Sequence, residues 1–108
     1  MDQVLFVGKI DENQKEKYIR YHKEMSAQFL KEKKVFGEVR EFVWVQGDTA
    51  IVYLETENFE EFMKKSAETE TFQEWVKKFE SIVVGDWEMP EKAFDFENQL
   101  RHALEQEI

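Results

Sequence analysis

Residues 38–54, EVREFVWVQGDTAIVYL, decide how this chain folds. Glu38 to Gln46 and Thr49 to Leu54 are two runs rich in branched and aromatic side chains, and Gly47-Asp48 between them is turn chemistry, so the stretch reads as a β-hairpin. Successive side chains of a strand point to opposite faces, which places Val39, Glu41, Val43 and Val45 on one side and Arg40, Phe42 and Trp44 on the other. In the second run Ile51 and Tyr53 alternate with Val52 and Leu54. Both faces are therefore apolar. An antiparallel sheet with one wet face shows polar residues there, so this hairpin needs a layer on each side. Helices supply one. The other would leave an apolar patch larger than monomers usually expose, and the economical cover is a second copy of the chain, a homodimer packed through the sheet face.

Working outward, Gln3 to Ile10 (QVLFVGKI) is another β-type run with the same two-sided pattern, Val4, Phe6 and Ile10 alternating with Leu5 and Val7. Asp11-Glu12-Asn13 supplies turn and cap residues, after which Tyr18, Tyr21, Met25, Phe29 and Leu30 recur at helical spacing with no glycine or proline. That predicts one long helix from about Asn13 to Val35, ended by Phe36-Gly37. Asn58 with Glu61 three residues later has the spacing of a capping box and opens a short helix through Phe59, Phe62 and Met63. Thr69 to Thr71 interrupts the pattern, and Phe72, Trp75, Val76, Phe79 and Ile82 then share one face of a second helix. Beyond Gly85, Ala93, Phe96, Leu100, Ala103 and Leu104 fit a helix opened near Pro90, whereas Phe94 and Phe96 alternate as in a strand. The expected arrangement is a short strand over Ala93 to Glu97, then a C-terminal helical extension over about 97–108. The order is βαββαβ: an α+β, ferredoxin-like fold, an antiparallel sheet with helices on one face, in a single domain spanning 1–108.

The chain has 108 residues, 24 acidic and 15 basic, a net charge of -9 and no cysteine. Nucleic acid is excluded as a partner, because binding it relies on clustered Lys and Arg, and Lys31-Glu32-Lys33-Lys34 and Lys77-Lys78 are interleaved with or flanked by glutamate. Those clusters read as solvated helix faces laced with ion pairs. Without cysteine there are no disulfides, thiolate metal sites or cysteine nucleophile, which fits a reducing, cytoplasmic setting. No apolar run approaches the roughly 20 residues of a membrane span, and Asp2 argues against a basic-plus-apolar leader. Phosphate loops, Gly-x-Ser-x-Gly and paired-histidine zinc motifs are absent. Two histidines are too few, unaided, for a transition-metal site. No metal is expected.

The candidate chemistry lies on the first helix. Tyr18 and His22 are four residues apart and so share a face, with Met25 and Phe29 continuing the stripe toward the sheet. A phenol and an imidazole there form an acid–base pair, one member titrating near neutral pH; the plain alternative is a pair of core-rim residues bonded to backbone or water. Glu41 stands at a parity otherwise apolar, where an ion is costly unless paired. It is either a functional partner of the histidine or an edge residue reaching water. Trp75 has the ring for stacking on a ligand, or for filling the core. Trp87, in a loop-like stretch near Gly85, would cover a cavity mouth, and His102 would face solvent.

Over Val4 to Phe96 the chain resembles the L-rhamnose mutarotase family of the dimeric α/β-barrel superfamily. The resemblance rests on the opening LFVGKI strand, on Glu16-Lys17-Tyr18-Ile19-Arg20-Tyr21-His22, on Gly37 at the break before the second strand, and on Phe72-Gln73-Glu74-Trp75-Val76-Lys77-Lys78-Phe79. It implies a cofactor-independent aldose isomerase of the mutarotase type, in which Tyr18, His22 and Trp75 contact the sugar and His22 is the acid–base catalyst. Glu41 stands where the family has a tyrosine, and Val76 where it has a second tryptophan. Catalytic roles accordingly fall to His22, Tyr18 and Glu41, and ligand contacts to Trp75 and Val76. The same superfamily contains antibiotic-biosynthesis and haem-degrading monooxygenases, and a non-catalytic dimeric ligand-binding or stress-related domain is a further reading of the same residues.

Overall fold

The structure is a computed structural model, and residues 1–107 are described. Strand β1 (Asp2–Ile10) leads through a 3-10 turn (Glu12–Gln14) into α1 (Lys15–Lys23) and α2 (Ala27–Val35). The hairpin β2 (Glu38–Gln46) and β3 (Thr49–Thr56) follows, then α3 (Phe59–Ala67), α4 (Glu70–Phe79), β4 (Val83–Glu88) and α5 (Phe96–Gln106). The strands lie in the order β2-β3-β1-β4 with antiparallel neighbours, the ferredoxin-like topology. Gln46 pairs with Thr49, so Gly47-Asp48 forms a two-residue turn. Gly47 has φ 59° and Asp48 a negative φ, as a type II′ hairpin turn requires.

Register fixes the faces. Val4, Phe6 and Gly8 of β1 stand opposite Leu54, Val52 and Ala50 of β3, which in turn face Glu41, Val43 and Val45 of β2. This is the helix side, where Ile10, Tyr18, Ala50, Phe79 and Ile82 make the core. The opposite side carries Leu5, Val7, Ile51, Tyr53, Phe42 and Trp44. Phe42 and Trp44 remain 50% and 55% exposed, with their rings 5.8 Å apart. No described helix is long and apolar enough to cross a membrane.

Two elements differ from the sequence expectation. The long helix is broken at Glu24–Ser26: Ser26 is extended, and its Oγ accepts the Phe29 N–H at 3.1 Å, capping α2. Serine favours caps over helix interiors because its hydroxyl competes for nearby backbone groups. The final strand is Val83–Glu88, not Ala93–Glu97, and Ile82 lies in the turn beyond α4. Gly85 at φ 75° and a shift of register between Val7 and Lys9 mark a bulge that erases the period of two in β4. Asp95 then caps α5, its carboxylate accepting the Asn98 N–H at 3.1 Å.

Trp87 accordingly sits on a strand rather than a loop, and its indole covers Gly8: a Cβ placed at Gly8 would lie 2.5 Å from the ring. Gly8→Ala is expected to displace Trp87 and destabilise the fold by about 1–3 kcal/mol, the usual cost of overpacking. A lowered Tm together with a shifted tryptophan emission would show it; an unchanged melt would mean that β4 yields freely.

Candidate active site

Helix α1 brings Tyr18 and, in its last turn, His22 to the helix–sheet seam. Tyr18 is buried in the core, and its backbone carbonyl lies 2.9 Å from Nδ1 of His22. A carbonyl only accepts, so Nδ1 carries the proton of the neutral ring and Nε2 keeps its lone pair. The imidazole is held among rings, with centroids 4.6 Å from Tyr18, 5.0 Å from Trp75 and 5.3 Å from Phe79. Burial lowers the His22 pKa below its ordinary value, outweighing the Tyr18 carbonyl and the Glu41 charge, which both favour the cation. Burial, and then Glu41, push the Tyr18 phenol up to about 12. Near neutral pH this pair is an unprotonated imidazole beside an intact phenol.

A cleft of about 320 Å³ opens beside His22, walled by Met25, Leu30 and Val43 and carrying Lys33, Glu38 and Glu41. Met25, at the break between α1 and α2, also borders a neighbouring hollow of about 310 Å³ lined by Phe29 and Trp75. Tyr18, His22, Glu41 and Trp75 thus gather at one seam. Val76 lies apart from the His22 cleft: it is 48% exposed and, with Trp75, lines a hollow toward Val83 and Trp87. His102 lies on exposed α5, its Nε2 3.0 Å from the Gln106 amide. Among the described residues no group of three or more His, Asp or Glu is placed to hold a metal ion.

Two members of the cleft are unexpected. Lys33 Nζ donates to Glu41 at 2.9 Å and to Glu38 at 3.3 Å, and the three side chains are only 12%, 21% and 13% exposed, respectively. Strict alternation gives the inward position to Val39 and assigns Glu38 to the outer face. The β2–β3 register shifts between Glu38 and Arg40, however, so that Glu38 pairs with buried Thr56 and turns inward with Glu41. Lys33 is likewise no part of a solvated face; its ammonium lies 4.8 Å from the centre of the Phe29 ring, one helical turn back. The signal available in the sequence was that i,i+4 relation to Phe29, combined with the need of an inward Glu41 for a cation. Arg40 behaves as alternation requires, reaching Glu55 on the outer face at 3.3 Å. Burial raises the Glu38 pKa to about 7; Lys33 opposes the rise and Glu41 adds to it.

The family model of L-rhamnose mutarotase matches residues 3–102. The chain belongs to the L-rhamnose mutarotase family. In this mutarotase-family chain the fold agrees with solved structures: an L-rhamnose mutarotase from Formosa agariphila superposes with a TM-score of 0.74 at 14% identity, covering 88% of this chain and 98% of that one. A putative antibiotic biosynthesis monooxygenase from Nitrosomonas europaea gives a TM-score of 0.64 at 10% identity, covering 82% and 84%. A dimeric ferredoxin-like protein from an uncultured marine organism gives 0.56 at 17% identity, covering 86% and 94%. At such identities the likeness is one of fold, that of the ferredoxin-like dimeric α/β-barrel superfamily. A search of curated protein sequences finds no match.

Proposed function

We propose that this member of the mutarotase family interconverts the anomers of a small monosaccharide by acid–base ring opening, with His22 as the base. The observation that carries the reading is the imidazole itself. Its Nδ1 proton is committed to the Tyr18 carbonyl, and its lowered pKa leaves Nε2 unprotonated beside a cleft of about 320 Å³, within the range of small-molecule sites. Nε2 takes the anomeric hydroxyl proton as the bond from C1 to the ring oxygen breaks and the aldehyde forms. A second group protonates the ring oxygen. Rotation about the bond to C1 and closure by the reverse transfers give the other anomer, so the residues end as they began and no cofactor is consumed. Tyr18, with its phenol intact, and Trp75, edge-on, pack against His22 and hold its ring at the cleft. Saturation-transfer NMR on L-rhamnose and other hexoses tests the reading: exchange between anomers faster than the spontaneous rate is expected for at least one sugar, and none above background would refute it.

The working form is expected to be a homodimer through the outer sheet face, where Leu5, Phe42 and Trp44 are exposed; one relative of this fold is described as dimeric. Light scattering should then return twice the 13.1 kDa chain mass, and Trp44→Glu should return one chain mass with an unchanged far-UV spectrum. A wild-type mass of one chain at micromolar concentration would rule the dimer out.

A further inference from the structure

The Lys33, Glu38 and Glu41 cluster is one proton short of neutrality. Two carboxylates face a single ammonium, and none of the three side chains is more than 21% exposed. Lys33 stands nearer to Glu41 than to Glu38, 2.9 Å against 3.3 Å, so Glu38 is the less compensated carboxylate. Two poorly solvated carboxylates that share one cation relieve their repulsion by binding a proton between them. We propose that the Glu38–Glu41 pair, clamped by Lys33, holds that proton and that Glu38 delivers it to the ring oxygen of the sugar, as the general acid complementary to His22.

This assignment rests on the mutarotase reading and supplies its second group. In opening, the anomeric O–H gives its proton to His22 Nε2, the bond from C1 to the ring oxygen breaks, and the Glu38 O–H bond breaks as that oxygen takes its proton. In closure the Glu38 carboxylate recovers the proton while the imidazolium returns its own to the anomeric oxygen. Tyr18 is the weaker donor for this step, because its phenol is pushed up to about 12. The charged groups around Glu38 are Lys33 from α2, Glu41 on its own strand, His22 and Lys23 across the cleft on α1, and Glu57 beside Gly37 at the end of β3. Lys23 and Glu57 are exposed, so the balance is set within the cluster. The competent enzyme has His22 unprotonated and Glu38 protonated. Activity is then lost on the acid side through the His22 pKa, below 6.5, and on the alkaline side through that of Glu38, about 7.

The test is the pH profile of anomer exchange for wild type, Glu38→Gln and His22→Ala. Glu38→Gln, close in shape, is expected to lower the rate by about 100-fold or more and to abolish the alkaline limb while leaving the acid limb in place. A rate within threefold of wild type with that limb intact would overturn the proposal and, with His22→Ala inactive, would leave the mutarotase reading standing. No exchange by the wild type on any sugar would overturn both. A measurement independent of turnover is the carboxyl carbon-13 titration of the labelled wild-type protein. A midpoint near 7 that falls in Glu41→Gln supports the shared proton, and a Glu38 midpoint below 5 overturns it.

Discussion

His22→Ala is expected to reduce anomer exchange by about 10²–10⁴-fold, the usual range for removing a positioned general base, and thus toward the spontaneous rate. Because the ring also packs against Tyr18, Trp75 and Phe79, alanine leaves a hole in an aromatic cluster and will cost stability as well. His22→Phe separates the two effects, since it retains an aromatic ring at the site and supplies no base. Both variants should be equally inactive, and the phenylalanine variant should melt higher. Full activity in His22→Phe would show that the imidazole is only packing. The lowered His22 pKa adds a stability signature. Between its ordinary value of 6.5 and its folded value the unfolded chain binds the proton first, so acidification through that window destabilises the wild type. His22→Phe should lose that part of the pH dependence.

What the sequence reveals and what it hides follow one physical divide. The β2–β3 hairpin is readable because Gly47-Asp48 and the alternation around it are both local. Tyr18, His22 and Trp75 are readable because an i,i+4 pair and an apolar helix face leave few ways to dock on a sheet. The break at Ser26 is hidden, since Met25 and Phe29 keep helical spacing across it although the serine caps a new helix. Bulges hide more. One in the β1–β4 pairing masks the final strand, and one in β2 turns Glu38 inward, so strict alternation places it on the wrong face. Lys33 is hidden for a different reason: a lysine in a charged run is ordinarily solvated, and only the packed structure shows this one beneath two carboxylates.

That burial makes Lys33→Met the most informative stability variant. Methionine keeps an apolar chain against the Phe29 and Phe62 rings, which lie 4.8 Å and 6.0 Å from the ammonium, and removes only the charge. Glu38 and Glu41 are then left facing each other without a cation. Removing one partner of a buried ion pair typically costs about 3–5 kcal/mol, and here the loss should depend on pH. Already in the wild type Glu38 titrates at about 7 against an ordinary 4.5, so between these values the folded state binds more protons than the unfolded one and stability falls as pH rises. Lys33 is what opposes the rise at Glu38, so without it Glu38 resists ionisation further and the fall steepens. Urea unfolding should therefore show Lys33→Met close to wild type at pH 5 and destabilised by about 3 kcal/mol or more at pH 8. Adding Glu38→Gln and Glu41→Gln to Lys33→Met should remove the pH-dependent part of that loss. A loss of the same size at both pH values would mean that Lys33 does not govern the ionisation of Glu38, and the cluster would then carry no strained proton for catalysis to use.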